Sequence, residues 1–179
     1  MRKTLSLLGI ILAGPAAADT SAMIFGGVLT DNDWVQIPGI VDVELERPGL
    51  VGVALSHDLW EGERWSFGVE GQVVGHAGLQ SNWEFNGLAY IRRDFEPGWL
   101  SSAAFGIGWS EADRRPVYEV ARSGESDRGK IYWTIELGFP AARDDSEYTL
   151  RIHHRSSGYG LAGEEGGSNA IVLGYRRSF

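Results

Sequence analysis

Apolar and polar residues alternate one by one along most of this chain, and this period of two constrains the fold more than any other feature of the sequence. The clearest run covers residues 131–139, in which odd and even positions differ in character. The apolar set is Ile131, Trp133, Ile135, Leu137 and Phe139, and the other set is Tyr132, Thr134, Glu136 and Gly138. Because successive side chains of a β-strand point to opposite faces, the run predicts a strand with one apolar face.

Eight segments of this kind follow one another, and most are long enough to cross a bilayer as a tilted strand. They cover residues 21–30, 50–60, 64–76, 82–95, 100–110, 130–140, 147–157 and 169–179, and residues 40–46 indicate a further short strand in the first long connection. The connections after even-numbered segments are short, whereas most of those after odd-numbered segments are longer. Short periplasmic turns, longer external loops and an even strand number are typical of outer-membrane barrels. The sequence therefore predicts an all-β fold, an eight-stranded antiparallel transmembrane β-barrel.

The N-terminus predicts export from the cytoplasm. Two basic residues precede an apolar stretch, Leu5 to Gly14, and three alanines at positions 16–18 offer a cleavage site. We interpret residues 1–18 as a cleaved secretory signal peptide and residues 19–179 as one outer-membrane β-barrel domain. The chain has no cysteine, so disulfides do not stabilise it, and its formal net charge of −8 disfavours nucleic acid as a partner.

Aromatic residues gather near the ends of the predicted strands, as they do in the two interfacial girdles of membrane barrels. They are Trp60, Trp65, Trp83, Trp99, Trp109, Trp133 and Phe179. The C-terminal Phe179 also resembles the terminal signature of bacterial outer-membrane proteins that the barrel-insertion machinery reads. That resemblance implies the insertion machinery as a partner and the bacterial outer membrane as the location.

A soluble β-sandwich or a periplasmic lipocalin-like binder would show the same alternation, with its apolar face turned inward. We favour the membrane barrel because the polar face is sparse and carries opposite charges that a small barrel can bury as ion pairs. These residues are Glu70, Arg92, Glu136, Arg151 and His153.

Position parity places three polar residues on the lipid-facing side of the barrel. The face of the seventh segment expected to contact lipid carries Leu150, Ile152, His154 and Ser156, and the lumen face carries Arg151, His153 and Arg155. Asn169 has the parity of the apolar Ile171 in the eighth segment. Since the seventh segment ends and the eighth begins at the external rim, we expect His154, Ser156 and Asn169 to meet on the outer wall.

These residue types suit nucleophilic catalysis at an ester. A neutral His154 imidazole could accept the Ser156 proton, while Asn169 holds the imidazole in the required tautomer. Backbone N–H groups of Ser157 and Gly158 could stabilise an oxyanion. From spacing alone, a rim His and Ser that only hydrogen-bond to lipid headgroups is the alternative.

The eight-strand plan, the His154-x-Ser156 pair and the glycine-rich loop before the last strand resemble the lipid A 3-O-deacylase family, the PagL-like acyloxyacyl hydrolases. The family pattern is His-x-Ser-Asn-Ala-Gly near the end of strand seven, so the resemblance assigns His154 as base and Ser156 as nucleophile. It implies an outer-membrane esterase that removes an acyl chain from lipid A of lipopolysaccharide. The match is local to residues 147–179.

Two departures from the family pattern concern the supporting residues. Ser157 replaces the family Asn, a residue proposed to support the oxyanion. For the third catalytic member, Asn169 is nearest by position, and Glu164 and Glu165 in the preceding loop are alternatives. No metal or organic cofactor is implied. The alternative function is a non-catalytic small outer-membrane barrel, structural or adhesive.

Overall fold

The computed structural model describes residues 20–30, 45–78 and 80–179. The predicted signal peptide and most of the predicted short strand at 40–46 lie outside these residues. The strands are β1 (Thr20–Thr30), β2 (Leu45–Glu61), β3 (Trp65–Gly78), β4 (Trp83–Asp94), β5 (Ser102–Ala112), β6 (Gly129–Pro140), β7 (Ser146–Ser156) and β8 (Gly167–Ser178). One helix, α1 (Val117–Ser123), lies between β5 and β6.

The eight strands form a closed barrel in sequence order. Each strand pairs antiparallel with the next, and β1 pairs with β8 to close the sheet. The predicted fold class is therefore confirmed. Most strands begin and end within two residues of the predicted bounds, but β2 begins at Leu45, where its backbone pairs with Thr30 of β1.

The lumen is filled by two groups of side chains. An apolar cluster occupies the side lined by β1, β2, β3 and β8, with Met23, Phe25, Leu29, Leu50, Ala54, Val74, Ala170 and Val172. On the other side, Arg151 Nη1 donates to Glu70 Oε1 at 2.7 Å and Nη2 donates to Glu136 Oε2 at 2.6 Å. Arg176 also pairs with Glu136. The predicted luminal charges therefore face inward and neutralise one another.

The outer surface is apolar, which is the reverse of a soluble barrel. Exposed side chains along the outer wall include Ile24, Val51, Val53, Leu55, Val69, Phe85, Ile107 and Leu173. Trp60, Trp65 and Trp99 are exposed at the periplasmic end, and Trp83 and Trp109 at the external end. This apolar band between two aromatic rings suits a bilayer, so the protein is a barrel of the outer membrane. In the described part of the chain, no helix is long and apolar enough to span a membrane.

The third external loop, residues 113–128, folds over the external mouth of the lumen. Tyr118 of α1 packs against the luminal apolar cluster, and its backbone N–H donates to Gln80 Oε1 at 3.3 Å. The sequence did not predict this helix, because seven residues are too few to establish a helical period.

At the opposite end of the barrel, hydrogen bonds from Arg143 and Ser146 hold the pKa of the Asp145 carboxyl in the last periplasmic turn below its usual value.

Candidate functional site

His154 and Asn169 face each other across the β7–β8 ladder at the external rim. They are directly paired in register, and His154 Nδ1 lies 2.5 Å from Asn169 Oδ1. Because a carbonyl oxygen only accepts hydrogen bonds, this arrangement puts the imidazole proton on Nδ1. The other ring nitrogen, Nε2, then carries the lone pair that a general base needs. The two side chains are 8% and 5% exposed, so the contact is largely shielded from solvent.

Trp133 holds the other side of the His154 ring. It is the direct neighbour of His154 on β6, and the two rings stack with centroids 4.3 Å apart and planes 28° from parallel. Asn169 and Trp133 thus fix the imidazole from both adjacent strands. The parity of residues 131–139 placed Trp133 on this face, but its contact with His154 depends on the register between β6 and β7.

Ser156 lies two residues beyond His154 on the same face of β7. Its Oγ accepts a 3.4 Å hydrogen bond from the Gly158 N–H. Within the described residues, no hydrogen bond joins Ser156 to His154. Positions i and i+2 of a strand are separated by about 6–7 Å at Cα, so a direct contact requires the serine side chain to turn toward the ring. Contacts of this kind often tighten only when substrate is bound.

An apolar groove of about 740 Å³ runs along the outer wall beside these residues. Its wall is formed by Phe105, Ile107, Ile131, Trp133 and Ile135 of β5 and β6. His154 and Ser156 line the same groove, and the fourth external loop, residues 157–166, covers it from the external side. The groove opens on the lipid-facing surface and has the size of a small-molecule binding site.

Glycines shape the fourth external loop. Gly158, Gly160, Gly163 and Gly166 all have positive φ angles, and so does Tyr159. At Gly158 (φ +59°) a Cβ would lie 2.3 Å from Ile131 Cδ1, so a side chain there would strain the backbone and require the end of the Ile131 side chain to move. This close approach brings the Gly158 N–H to Ser156 Oγ, at 3.4 Å. Ser157 lines the groove next to it.

The two glutamates proposed as alternative orienting residues are placed differently. The Glu164 carboxylate lies 3.9 Å from Arg115, and its backbone oxygen accepts from Lys130 Nζ at 2.5 Å. Glu165 lines the groove. In the described part of the chain, neither carboxylate contacts His154, whereas Asn169 does.

The described residues of this wall do not form a metal site. Among the described residues, no three His, Asp or Glu side chains are grouped so as to hold a metal ion. His153 points into the lumen toward Glu84, with 2.9 Å between Nε2 and Oε1, while His154 points outward.

No protein-family model matches the sequence, and no curated protein matches it. Among solved structures, the fold is similar to that of the outer membrane enzyme PagL, with a TM-score of 0.61 and 16% identity over 89% of this chain and 99% of that chain. It is also similar to Neisserial surface protein A, NspA, with a TM-score of 0.50 and 10% identity over 90% and 97% of the two chains. At such identities the likeness shows the fold alone: an eight-stranded outer-membrane barrel.

Proposed function

We propose that this protein is an outer-membrane esterase that removes an acyl chain from lipid A of lipopolysaccharide. Ser156 is the nucleophile, His154 the general base and Asn169 the orienting residue. The observation that carries the proposal is the His154–Asn169 pair, in which no described residue hydrogen-bonds to His154 Nε2, in an apolar groove that also contains Ser156. The structural likeness to the outer membrane enzyme PagL adds support.

The position of the groove supports a lipid substrate. Polar side chains at the lipid-facing wall are energetically unfavourable, so their presence there indicates a function. Here they lie at the external rim, where the ester bonds of an outer-leaflet lipid come close to the barrel. An acyl chain fits the apolar wall of Phe105, Ile131 and Ile135, with its ester group beside Ser156.

The reaction follows from the placement of these groups. Ser156 Oγ attacks the acyl carbonyl carbon while its proton passes to His154 Nε2. The Gly158 N–H and Ser157 stabilise the oxyanion. The sugar alkoxide leaves with the proton from His154, and water then hydrolyses the acyl-enzyme to release the fatty acid. Asn169 Oδ1 accepts the hydrogen bond from His154 Nδ1–H throughout the reaction, and so keeps the imidazole in the required tautomer.

Mass spectrometry of lipid A tests the proposal directly. The protein would be expressed in a host without its own deacylase, and lipid A would be compared with that from cells producing Ser156→Ala. We expect the wild type alone to give lipid A lighter by one acyl chain. Unchanged lipid A with a folded and abundant wild-type barrel would contradict the proposal.

A second candidate is a non-catalytic outer-membrane barrel, structural or adhesive. The hydrogen bond from Gly158 to Ser156 favours it, because the serine is then not engaged with His154. In that case the rim His and Ser contact lipid headgroups only. The same lipid A comparison separates the two functions.

We also propose that the chain reaches the membrane through an N-terminal signal peptide, residues 1–18, and the barrel-insertion machinery. The terminal Phe179 side chain is exposed beyond β8, although its backbone N–H is bonded to Thr20 O at 2.9 Å. Deleting Phe179 should slow assembly and leave unfolded chain in the periplasm, as measured by the folded fraction on gels.

A further inference from the structure

The luminal side of the His154–Asn169 pair carries a second set of contacts. Arg155 follows His154 on β7, Ser168 precedes Asn169 on β8, and the two are directly paired in register. Both side chains point into the lumen and are buried. Arg155 is adjacent to His154, and Ser168 is adjacent to Asn169. Contacts that restrain the Arg155 and Ser168 side chains therefore also restrain the backbone of His154 and Asn169.

One carboxylate from the third external loop bridges both strands. Glu119 of α1 is fully buried, and its Oε1 accepts a hydrogen bond from Ser168 Oγ at 2.8 Å. The same oxygen lies 2.7 Å from Arg155 Nε. The Nε–H does not point at the oxygen, so this contact is an ion pair and not an aligned hydrogen bond. Glu119 Oε2 accepts from Ser126 Oγ at 2.6 Å, which anchors the carboxylate within its own loop.

Arg155 is held by further groups around its guanidinium. Nη1 donates to Ser110 Oγ at 2.9 Å, and Nη2 donates to the Arg128 carbonyl at 2.9 Å. Glu84 Oε2 lies 3.7 Å from Nη1 and is itself bonded to His76. The Arg155 side chain is therefore restrained by several contacts, and Glu119 connects it to Ser168 of β8.

We propose that Glu119 is a positioning residue for the catalytic site. By joining Arg155 to Ser168 near the external end of the β7–β8 ladder, it limits fraying of the two strands next to the pair in which His154 Nδ1 contacts Asn169 Oδ1. The inference rests on the proposed esterase function for its kinetic consequences, but the geometry it concerns exists in the resting protein. A loop that covers the lumen thus controls side chains on the opposite, lipid-facing surface.

Kinetics of Glu119→Gln provide the first test, with Glu125→Gln as the control. Both variants remove one carboxylate from the third external loop, but Glu125 is exposed. Misplacement of catalytic groups by a fraction of an ångström lowers turnover strongly, so we expect kcat about tenfold lower for Glu119→Gln, with KM within about twofold of the wild type. In an Asn169→Ala background the same change should have little further effect, because the contact it protects is already gone.

The imidazole signals of His154 provide a test that does not depend on activity. Nitrogen-15 spectra of the folded protein in detergent would be recorded with labelled histidine, and the His154 signal assigned by its loss in His154→Gln. We expect the wild type to show the Nδ1-protonated tautomer, and Glu119→Gln to shift the signal in the direction seen for Asn169→Ala. Glu125→Gln should leave it unchanged.

These measurements separate the possible outcomes. An unchanged His154 signal in folded Glu119→Gln overturns the positioning role, whether or not kcat falls, since a fall would then reflect general destabilisation. A wild-type protein without activity overturns the esterase function, and the His154 signal still decides the role of Glu119. If Glu119→Gln does not fold, Ser168→Ala, which removes one hydroxyl, should produce a smaller shift of the same kind, and no shift overturns the proposal.

Discussion

The orientation of His154 comes from its two strand neighbours and not from Ser156. Asn169 accepts the Nδ1 proton, and Trp133 stacks on the ring. An amide can play this part only with its oxygen toward the ring, because the opposite orientation would impose the wrong tautomer. A neutral partner also stabilises the imidazolium of the reaction less than a carboxylate would. The orientation of the His154 ring therefore suits a general base, but an amide partner would activate that base less than a carboxylate.

Alanine substitutions at the three site residues should separate their roles. We expect Ser156→Ala and His154→Ala each to abolish deacylation, and the double variant to be little worse, because the two act as a unit. Asn169→Ala should lose less activity, since it orients the base without reacting. Lipid A mass spectra and heat-modifiable gel migration would be recorded for each variant. Ser81→Ala, on the second external loop, is the control. Deacylation by folded Ser156→Ala would exclude the assigned nucleophile.

Asn169→Asp should raise the rate of the proposed deacylation. The carboxylate removes the choice between the two amide orientations, and adds a charge that stabilises the imidazolium formed during attack. The expected result is faster loss of the acyl chain at equal amounts of folded protein, measured as the rate of fatty-acid release in detergent. A slower rate with unchanged folding would mean that the amide has a second role at this position.

For the individual site residues, the sequence predicted which side of the strand each side chain lies on, but not which side chains contact one another. Parity alone placed His154, Ser156 and Asn169 on the outer wall, because a strand has only two sides. It could not predict that Trp133 would stack on His154, since this depends on the register between β6 and β7. Nor could it predict the orientation of Ser156, because a serine side chain turns freely and its partner, the Gly158 N–H, is set by the loop.

Among the structural elements, the fourth external loop (residues 157–166) decides how the groove is closed. Four of its glycines adopt positive φ angles, which lets the backbone turn back against the wall of β6. Gly158 packs against Ile131 of this wall, whereas a Cβ at Gly160 would meet open space. The loop therefore contains two glycines with similar φ angles and different steric surroundings.

This difference gives a matched pair of variants. Gly158→Ala should lower activity about tenfold or more, because its Cβ would push the loop from the wall and misplace the oxyanion N–H. Gly160→Ala should cost only the roughly 1–2 kcal/mol of a left-handed alanine. Adding Ile131→Val to Gly158→Ala removes the clashing methyl and should restore much of the activity. Fatty-acid release would be measured for all three, and equal loss in both alanine variants would contradict a steric cause.

The sequence predicted strands better than the segments between them. A strand that crosses the bilayer must alternate along its whole length, so its pattern is long and regular. The helix α1 was missed because it spans two turns and takes its stability from Glu119 and Tyr118 contacts with distant residues. The early start of β2 at Leu45 was missed because residues 45 and 46 were assigned to a separate short strand, whereas backbone pairing continues across Pro48 and Gly49.

On the scale of the whole molecule, the distribution of charge identifies the inside of the barrel. Thr134 and Glu136 are buried in the lumen, while Ile135 between them is exposed on the outer wall. We expect Ile135→Cys to react with a lipid-phase thiol probe, and Thr134→Cys to remain unlabelled in the folded barrel. Thr134 is the better control than Glu136, because its loss leaves no charge unpaired. Labelling of position 134 but not of position 135 would mean that the luminal and lipid-facing sides are assigned the wrong way round. The proposed site would then not face lipid.

Breaking a luminal ion pair should strongly destabilise the barrel. Arg151 contacts both Glu70 and Glu136. Without it, Glu136 would keep Arg176, whereas Glu70 would keep, among the described residues, only the Ser56 hydroxyl and the Gln72 amide. Removing one partner of a buried pair leaves an uncompensated charge, so Arg151→Met should destabilise the fold by about 3–5 kcal/mol.

Arg177→Met is the matched control for this change. Arg177 pairs with Asp145 at 3.0 Å, but is 53% exposed, and such pairs contribute about 0–1 kcal/mol. The free energies of unfolding would be compared by urea titration in lipid vesicles. Adding Glu70→Gln to Arg151→Met should recover part of the loss, because the residual charge is then removed. Equal effects of Arg151→Met and Arg177→Met would mean that water reaches the lumen freely, and that its charges do not depend on pairing.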